Sequence, residues 1–390
     1  MKYLAVLVSG LDPCLLNQNL EKDAPQLKQL LDQGFSGKLQ AGTDISTRDE
    51  YISFLPVLGY DPGLYYKGEG SLLAARAGVH LEKDDVAFCC DLVTLKHQKE
   101  GYTFQKFGPK IVMENLPEDA LSDEEGKELI REINEQFGTE SIVFYPVKNT
   151  SHLMVWVAGK SKFQMALPNE MIGKPLSSCL PRGDGANTLI RCMEVASQFL
   201  QQHPINEERV SQGKQPANGI WFSRPGKAME LPAWEDLYEL RGTMIADDDL
   251  IQGIGQLTGF SRVEYAETGT QTLKDRCSLK AKAVIKTLTG HDFVFVHLRI
   301  DKNEKEGAVQ AIDQLFLAPV LEQLRQNSDW RVLFMETAPF SDFPRPMTPG
   351  PIEKEISFLI SSPGQQKKTG LAFQKVFQLM PRFINGGPWD

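Results

Sequence analysis

The chain has 390 residues, 41% hydrophobic and 24% charged, an ordinary globular composition. That length calls for two domains, or one large domain carrying an insertion. The formal net charge of −9 argues against a nucleic-acid or anionic-membrane partner, since both need extended basic surface, but it leaves room for a local basic pocket. Tyr3–Val8 is a continuous apolar run closed by Ser9-Gly10, the pattern of a central parallel strand covered on both faces. The run is too short to cross a membrane and no small-residue cleavage site follows it, so it reads as the first buried strand of a cytoplasmic protein. Residues 24–33 carry leucines at helical spacing, with Gly34 as the stop. The stretch YISFLPVLGYDPGLYYKGEG, residues 51–70, starts apolar and breaks into a loop rich in glycine and aromatics. Glycine lets a backbone approach a ligand closely, so this loop is a candidate site wall. Tyr60 and Asp61 are its candidate contacts, with ordinary turn chemistry before Pro62 as the competing reading of Asp61.

Val86–Leu95 is expected to be a strand. Residues 122–137 form an amphipathic helix, with Ser122 as N-cap and Glu125 as its capping-box partner. SIVFYPV and HLMVWVAG read as sheet strands, Asn187–Gln202 as a helix and GIWFS as a strand. His203, Asn206 and Arg209 recur at i, i+3 and i+6, so they share a helix face; they either touch a ligand or brace the helix. TMIADDDLIQGIGQLTG joins a strand end to a helix whose acidic start suits the helix dipole. HDFVFVHLRID is an apolar strand, Gly307–Asn327 a long helix and WRVLFMETAP a buried strand, while KKTGLAFQKVFQLM is expected to close the chain as a helix. The cysteines, at 14, 89, 90, 179, 192 and 277, form no CxxC pair and read as reduced thiols.

Strands and helices alternate at both ends, so the fold class is α/β with a mainly parallel sheet flanked by helices. The middle of the chain has its own helix-plus-strands pattern and no nucleotide-type glycine fingerprint. The expected organisation is a core from 1–100 and 186–390, with an inserted smaller α+β domain at 101–185. Ligands of open parallel sheets sit outside the carboxyl ends of the strands. Ser9-Gly10, the loop 51–70, His297–Asp301 and Met335–Pro339 are therefore the places to search.

Several segments together resemble one family. They are LGYDPGLYYKGEG, DVAFCCDLVT, PRGDGANTLI, HPINEERVSQGKQPANGIW, MIADDDLIQGIGQLTGF and HDFVFVHLR. In this order they resemble the archaeal-type cofactor-independent phosphoglycerate mutases of the alkaline phosphatase superfamily. The resemblance implies an alkaline-phosphatase-like core and a glycolytic isomerase activity. It also implies two divalent metals, manganese or zinc, that activate a serine to carry phosphate covalently.

Position by position, the residues that the resemblance assigns to this chemistry are replaced. The first strand should end in Asp-Gly and ends in Ser9-Gly10. The nucleophilic serine falls on Glu50, with Ser46, Thr47 and Ser53 as stand-ins if the loop is realigned. Asp301 matches an aspartate ligand, but the histidine expected four residues on falls on Lys305. The Asp-His pair after the last strand falls on Thr337 and Ala338, and a further histidine on Met347. Asp12 or Asp49 would have to act as a displaced ligand. In the insert, an arginine and an asparagine of the family pattern read Cys89 and Asp91. Hydroxyls, a methyl and an ammonium do not coordinate paired dications. The expectation is thus a degenerate member that holds no metal. It would bind a small phosphorylated or anionic ligand, or a protein partner such as an active paralogue. The alternative is an active phosphoglycerate mutase or related phosphotransferase with displaced ligands.

Overall fold

A computed structural model of the chain describes residues 1–10, 20, 22–40, 50–99, 106–116, 121–263, 271–337, 355–373 and 375–386. The strands in chain order are β1 (Lys2–Ser9), β2 (Gly34–Gln40), β3 (Val86–His97), β4 (Ile111–Asn115), β5 (Ile142–Lys148), β6 (Ser151–Trp156), β7 (Gly219–Lys227), β8 (Gly242–Ile245), β9 (Ser261–Arg262), β10 (Phe293–Arg299), β11 (Trp330–Thr337), β12 (Glu355–Ser361) and β13 (Lys368–Phe373). The chain divides into two compact units, Met1–Tyr66 with Glu230–Asp390, and Lys67–Met229.

The first unit is built on an eight-stranded sheet in the order β13-β2-β12-β11-β1-β10-β8-β9. β1 lies between β10 and β11, parallel to both, and its residues from Tyr3 to Ser9 are buried. Leu4, Val6 and Val8 pack with Cys277, Ala281 and Val284 of the helix Leu273–Leu288 and with Leu27 and Leu30 of the helix Pro25–Asp32. On the other face, Tyr3 donates its hydroxyl to the Ile384 carbonyl and meets Phe383 edge-on, so the helix Leu379–Asn385 covers it. Each fully buried Leu or Val contributes about 1.5–3 kcal/mol of transfer free energy, which explains why the central strand is almost wholly apolar. β12 pairs antiparallel with both β11 and β2, so the sheet is mainly but not wholly parallel.

Three local expectations change. Gly34 does not merely stop a helix but starts β2, where a Cβ would lie 2.6 Å from the Ile360 carbonyl oxygen; only glycine permits that approach. Residues 368–373 form β13 rather than the start of a closing helix, because pairing with β2 outweighs their helical pattern. The long helix runs from Ala308 to Leu324 but passes through a π-turn at Ile312–Leu317. Pro319 lacks the N–H that would bond back into that turn.

The second unit carries a five-stranded antiparallel sheet, β4-β3-β6-β5 with β7 also on β3. It is wider than the expected 101–185, because β3 and β7 lie outside those bounds yet pair with each other over most of their length. The helices Asp123–Phe137 and Ala186–Leu200 pack on this sheet through Leu129, Ile130, Ile133, Leu189 and Met193. The capping box of Ser122 and Glu125 forms as the sequence implies. Cys89, Cys90 and Cys277 are buried and Cys179 and Cys192 half-buried, all outside any disulfide, and Cys14 lies outside the described residues. Among the described residues no helix is long and apolar enough to cross a membrane.

Candidate functional site

Register brings three strand ends of the first unit level. Ser9 stands opposite Arg299 of β10 on one side and Thr337 of β11 on the other. Side chains alternate along a strand, so Ser9, His297, Arg299 and Thr337 share one face. Ser9 Oγ lies 2.8 Å from His297 Nε2, and the Phe54 ring meets the imidazole edge-on at 5.3 Å. His297 is 2% exposed. Burial, and then the charge of Lys280, pull the imidazole down to about 3, so it is neutral across the physiological range. Its Nδ1 is buried without a hydrogen-bond partner.

The charge at this site comes from residues that the strand ends alone do not reveal. Lys280 is fully buried on the helix Leu273–Leu288; its Nζ donates to Asp247 Oδ2 and, at 2.7 Å, to the His297 carbonyl. Asp247 and Asp248 follow β8, and Asp248 caps the helix Asp249–Leu257. Its Oδ1 accepts the Leu250 and Ile251 N–H groups at 2.9 and 3.2 Å. Its Oδ2 accepts the Tyr51 hydroxyl at 2.6 Å. Burial pushes the Asp248 carboxyl above its usual range despite these bonds. Arg299 Nε donates to Asp301 Oδ1 at 2.9 Å, with both side chains largely open to water. Arg276 holds both oxygens of Glu304, at 3.1 and 2.7 Å, and donates to the Arg299 carbonyl. Burial alone would lower the Arg276 pKa, but the Glu304 contacts outweigh it and raise it. A cavity of about 160 Å³ is lined by Asp247, Asp248, Arg276, His297, Arg299 and Asp301.

The described donors do not fit two divalent metals. The Ser9 hydroxyl is tied to a neutral imidazole, Thr337 offers one neutral oxygen, and Asp301 is engaged by Arg299. A buried ammonium and two guanidinium groups stand in the same constellation, and each already engages a carboxylate that a dication would need. Among the described residues no group of three or more His, Cys, Asp or Glu is placed to hold a metal. Asp12, Ser46, Thr47, Asp49, Ala338 and Met347 lie outside the described residues. Glu50 opens the 3-10 turn Glu50–Ser53, and the side chains of Glu50 and Ser53 lie outside them too.

Of the residues expected at a site, Asp301 alone lines the cavity. Lys305, placed by the resemblance where a histidine ligand would be, is exposed; the cation at the strand ends is Lys280. Tyr60 is buried and donates to the Pro232 carbonyl at 2.9 Å, and Asp61 caps the helix Pro62–Tyr65, so both make turn and packing bonds. Two of the loop glycines, Gly68 and Gly70, approach the chain's own backbone: a Cβ on Gly70 would lie 2.1 Å from the Ala87 carbonyl oxygen. Asp91, His203, Asn206 and Arg209 belong to the second unit. Asn206 Nδ2 donates to the Leu200 and Ala217 carbonyls while its Oδ1 accepts the Ala217 N–H. Arg209 donates to the Gln215 carbonyl and to Glu125, His203 caps the helix Pro204–Ser211 and faces Glu132, and Asp91 Oδ2 lies 3.4 Å from Ser223 Oγ. These groups brace their own unit. Arg299 and Tyr51 lie in two of the segments that the sequence marks, the strand end His297–Asp301 and the loop 51–70, whereas Lys280, Asp248 and Arg276 lie outside all four. A signal for Lys280 was present, because it shares a helix stripe with Cys277, Ala281 and Val284.

Residues 40–206 match the family model described as 2,3-bisphosphoglycerate-independent phosphoglycerate mutase. The chain is 32% identical to the 2,3-bisphosphoglycerate-independent phosphoglycerate mutase of Methanosarcina mazei, over 78% of this chain and 75% of that one. It is 31% identical to a probable 2,3-bisphosphoglycerate-independent phosphoglycerate mutase of Geobacter sulfurreducens, over 72% and 70%. Among solved structures, a protein from Pyrococcus horikoshii superposes with a TM-score of 0.68 at 19% identity, covering 98% of this chain and 96% of that one. The cofactor-independent phosphoglycerate mutase of Thermoplasma acidophilum superposes with a TM-score of 0.57 at 18% identity, covering 99% and 100%. At those identities the structures speak for the fold alone.

Proposed function

We infer that this chain, which belongs to the 2,3-bisphosphoglycerate-independent phosphoglycerate mutase family, keeps the family's fold without two-metal phosphoryl transfer. It is a binding protein built on an enzyme scaffold. The observation that carries this reading is the buried Lys280 ammonium, bonded to Asp247 and to the His297 carbonyl beside the strand-end cavity. A dication entering there would have to take Asp247 from an ammonium that is fully buried. Nothing described near the cavity replaces the serine nucleophile, since Ser9 is buried and hydrogen-bonded to an imidazole too weakly basic to take its proton.

The test is elemental analysis of the purified chain, followed by interconversion of 3-phosphoglycerate and 2-phosphoglycerate with manganese and zinc added. Metal far below one equivalent with no turnover is expected. Two equivalents of metal with turnover would overturn the reading and point to ligands from segments 41–49 or 338–354.

A further inference from the structure

We propose that a groove on the helix layer of the first unit binds an amphipathic organic anion, an apolar body that carries one carboxylate. The groove has a volume of about 640 Å³ and shares no lining residue with the strand-end cavity. It lies between the helix Leu273–Leu288, the long helix Ala308–Leu324 and the start of the helix Pro25–Asp32. Residues three and four apart share a helix face, and the lining follows that spacing. Ser278, Ala281, Lys282 and Ile285 form one wall. On the other, Leu315, Ala318, Pro319 and Glu322 carry a stripe out of the π-turn, with Arg325 three residues further.

Shape is the first observation. The two long helices share a core through Val284 and Leu321, but Ser278, Ala281 and Ala318 are short and leave the space between the walls unfilled. Ile285, Leu315, Ala318 and Pro319 are half-buried, so the groove offers apolar surface that water still reaches. Small-molecule sites span about 300–1,000 Å³ and are mostly apolar with a few polar groups. A π-turn in a helix is also frequent at functional sites.

Charge is the second observation, and it selects the ligand. Lys282 is exposed and makes no hydrogen bond or ion pair among the described residues. The Arg325 side chain donates to two neutral amide oxygens, Gln29 Oε1 at 2.8 Å and Gln26 Oε1 at 3.5 Å. Among the described lining residues Glu322 is the only acid; it is exposed and pairs with neither cation. Asp313 does not line the groove. Its carboxylate accepts the Leu27 and Gln26 N–H groups at 2.8 and 3.2 Å, where the start of a helix favours negative charge. The lining thus sets two cations without an acidic partner against one carboxylate. A ligand carboxylate supplies the missing partner, and a guanidinium fork suits it well. An ammonium ligand would meet like charge on both walls.

The inference concerns a surface outside the strand-end cavity and is read by binding, so it holds or fails independently of the metal question. The experiment is ligand-observed NMR titration of the full chain with octanoate, octylammonium and acetate at fixed low ionic strength. Octanoate should bind. Octylammonium should bind at least fivefold more weakly, because its charge is reversed, and acetate at least tenfold more weakly, because it lacks the apolar body. The double variant Lys282→Gln with Arg325→Gln changes only exposed side chains and should weaken octanoate at least threefold. Ala318→Phe fills the groove and should weaken octanoate at least tenfold, with circular dichroism reporting its fold. Octanoate that fails to bind, octylammonium or acetate that binds equally well, or octanoate binding undiminished in the double variant would each overturn the proposal.

Discussion

Replacing Lys280 with methionine would remove the buried ammonium and keep most of its volume. Truncating one member of a buried ion pair typically costs about 3–5 kcal/mol, because the other charge stays behind uncompensated. Here the Asp247 side chain keeps 22% of its exposure, so water recovers part of that loss. The His297 carbonyl also loses a donor held at 2.7 Å, which adds about 1 kcal/mol. Together these give about 3–4 kcal/mol for Lys280→Met. Asp247→Asn alone should cost at least as much, since it strands an ammonium with no exposure at all. The double variant strands neither charge, so it should lie about 2 kcal/mol or more below the sum of the singles. With two compact units a single unfolding transition is not assured. The assay is therefore native-state hydrogen exchange on β1 and β10, which flank this pair in the first unit. A loss under about 1 kcal/mol for Lys280→Met, or strict additivity in the double variant, would refute the claim that this pair sets the charge of the cleft.

Acidification should destabilise the protein in a defined window. His297 and His152 are buried, and burial first of all pulls their imidazoles down to about 3 and about 4. The unfolded chain binds these protons near pH 6.5, so stability is intact above that pH and falls between pH 6.5 and about 4, by roughly 1 kcal/mol per pH unit for each histidine. A denaturation series across that range should show the slope, and His297→Gln should reduce it. Asn206→Ala leaves two buried carbonyls and one N–H without their partner; it should cost about 2–4 kcal/mol in the second unit, with the exchange rates of β1 and β10 unchanged. Ser122→Ala breaks one arm of the capping box and should cost about 1 kcal/mol, seen as earlier exchange in the helix Asp123–Phe137.

The fold was legible where packing and local chemistry agree. β1, β10 and β11 announce themselves as continuous apolar runs because both of their faces are covered. The helix Asp123–Phe137 shows its cap and its stripe together. β2, with the sequence GFSGKLQ, carries neither signal; it exists because β12 and β13 pair with it on either side. Such non-local pairing cannot be read from one segment. The site was legible as a place and not as a composition. The strand ends Ser9, Arg299 and Thr337 meet as expected from a parallel sheet, but other polar groups around them come from a helix preceding β10, a cap following β8 and the turn at Tyr51.

The same geometry explains why single replacements among the family's expected ligands leave a coherent fold. An aspartate at the end of β1 would be a further carboxylate beside Asp247 and Asp248, and paired dications would be needed to hold it. Serine there asks only for a neutral partner, and His297 supplies one at 2.8 Å. On the proposed reading, which has neither that carboxylate nor the metals, the remaining acids need cations of the chain's own, and Lys280, Arg276 and Arg299 pair with three of them. Restoring Ser9→Asp alone would therefore place an unpaired carboxylate in a buried strand end without creating a metal site, because the ammonium of Lys280 would still stand beside it.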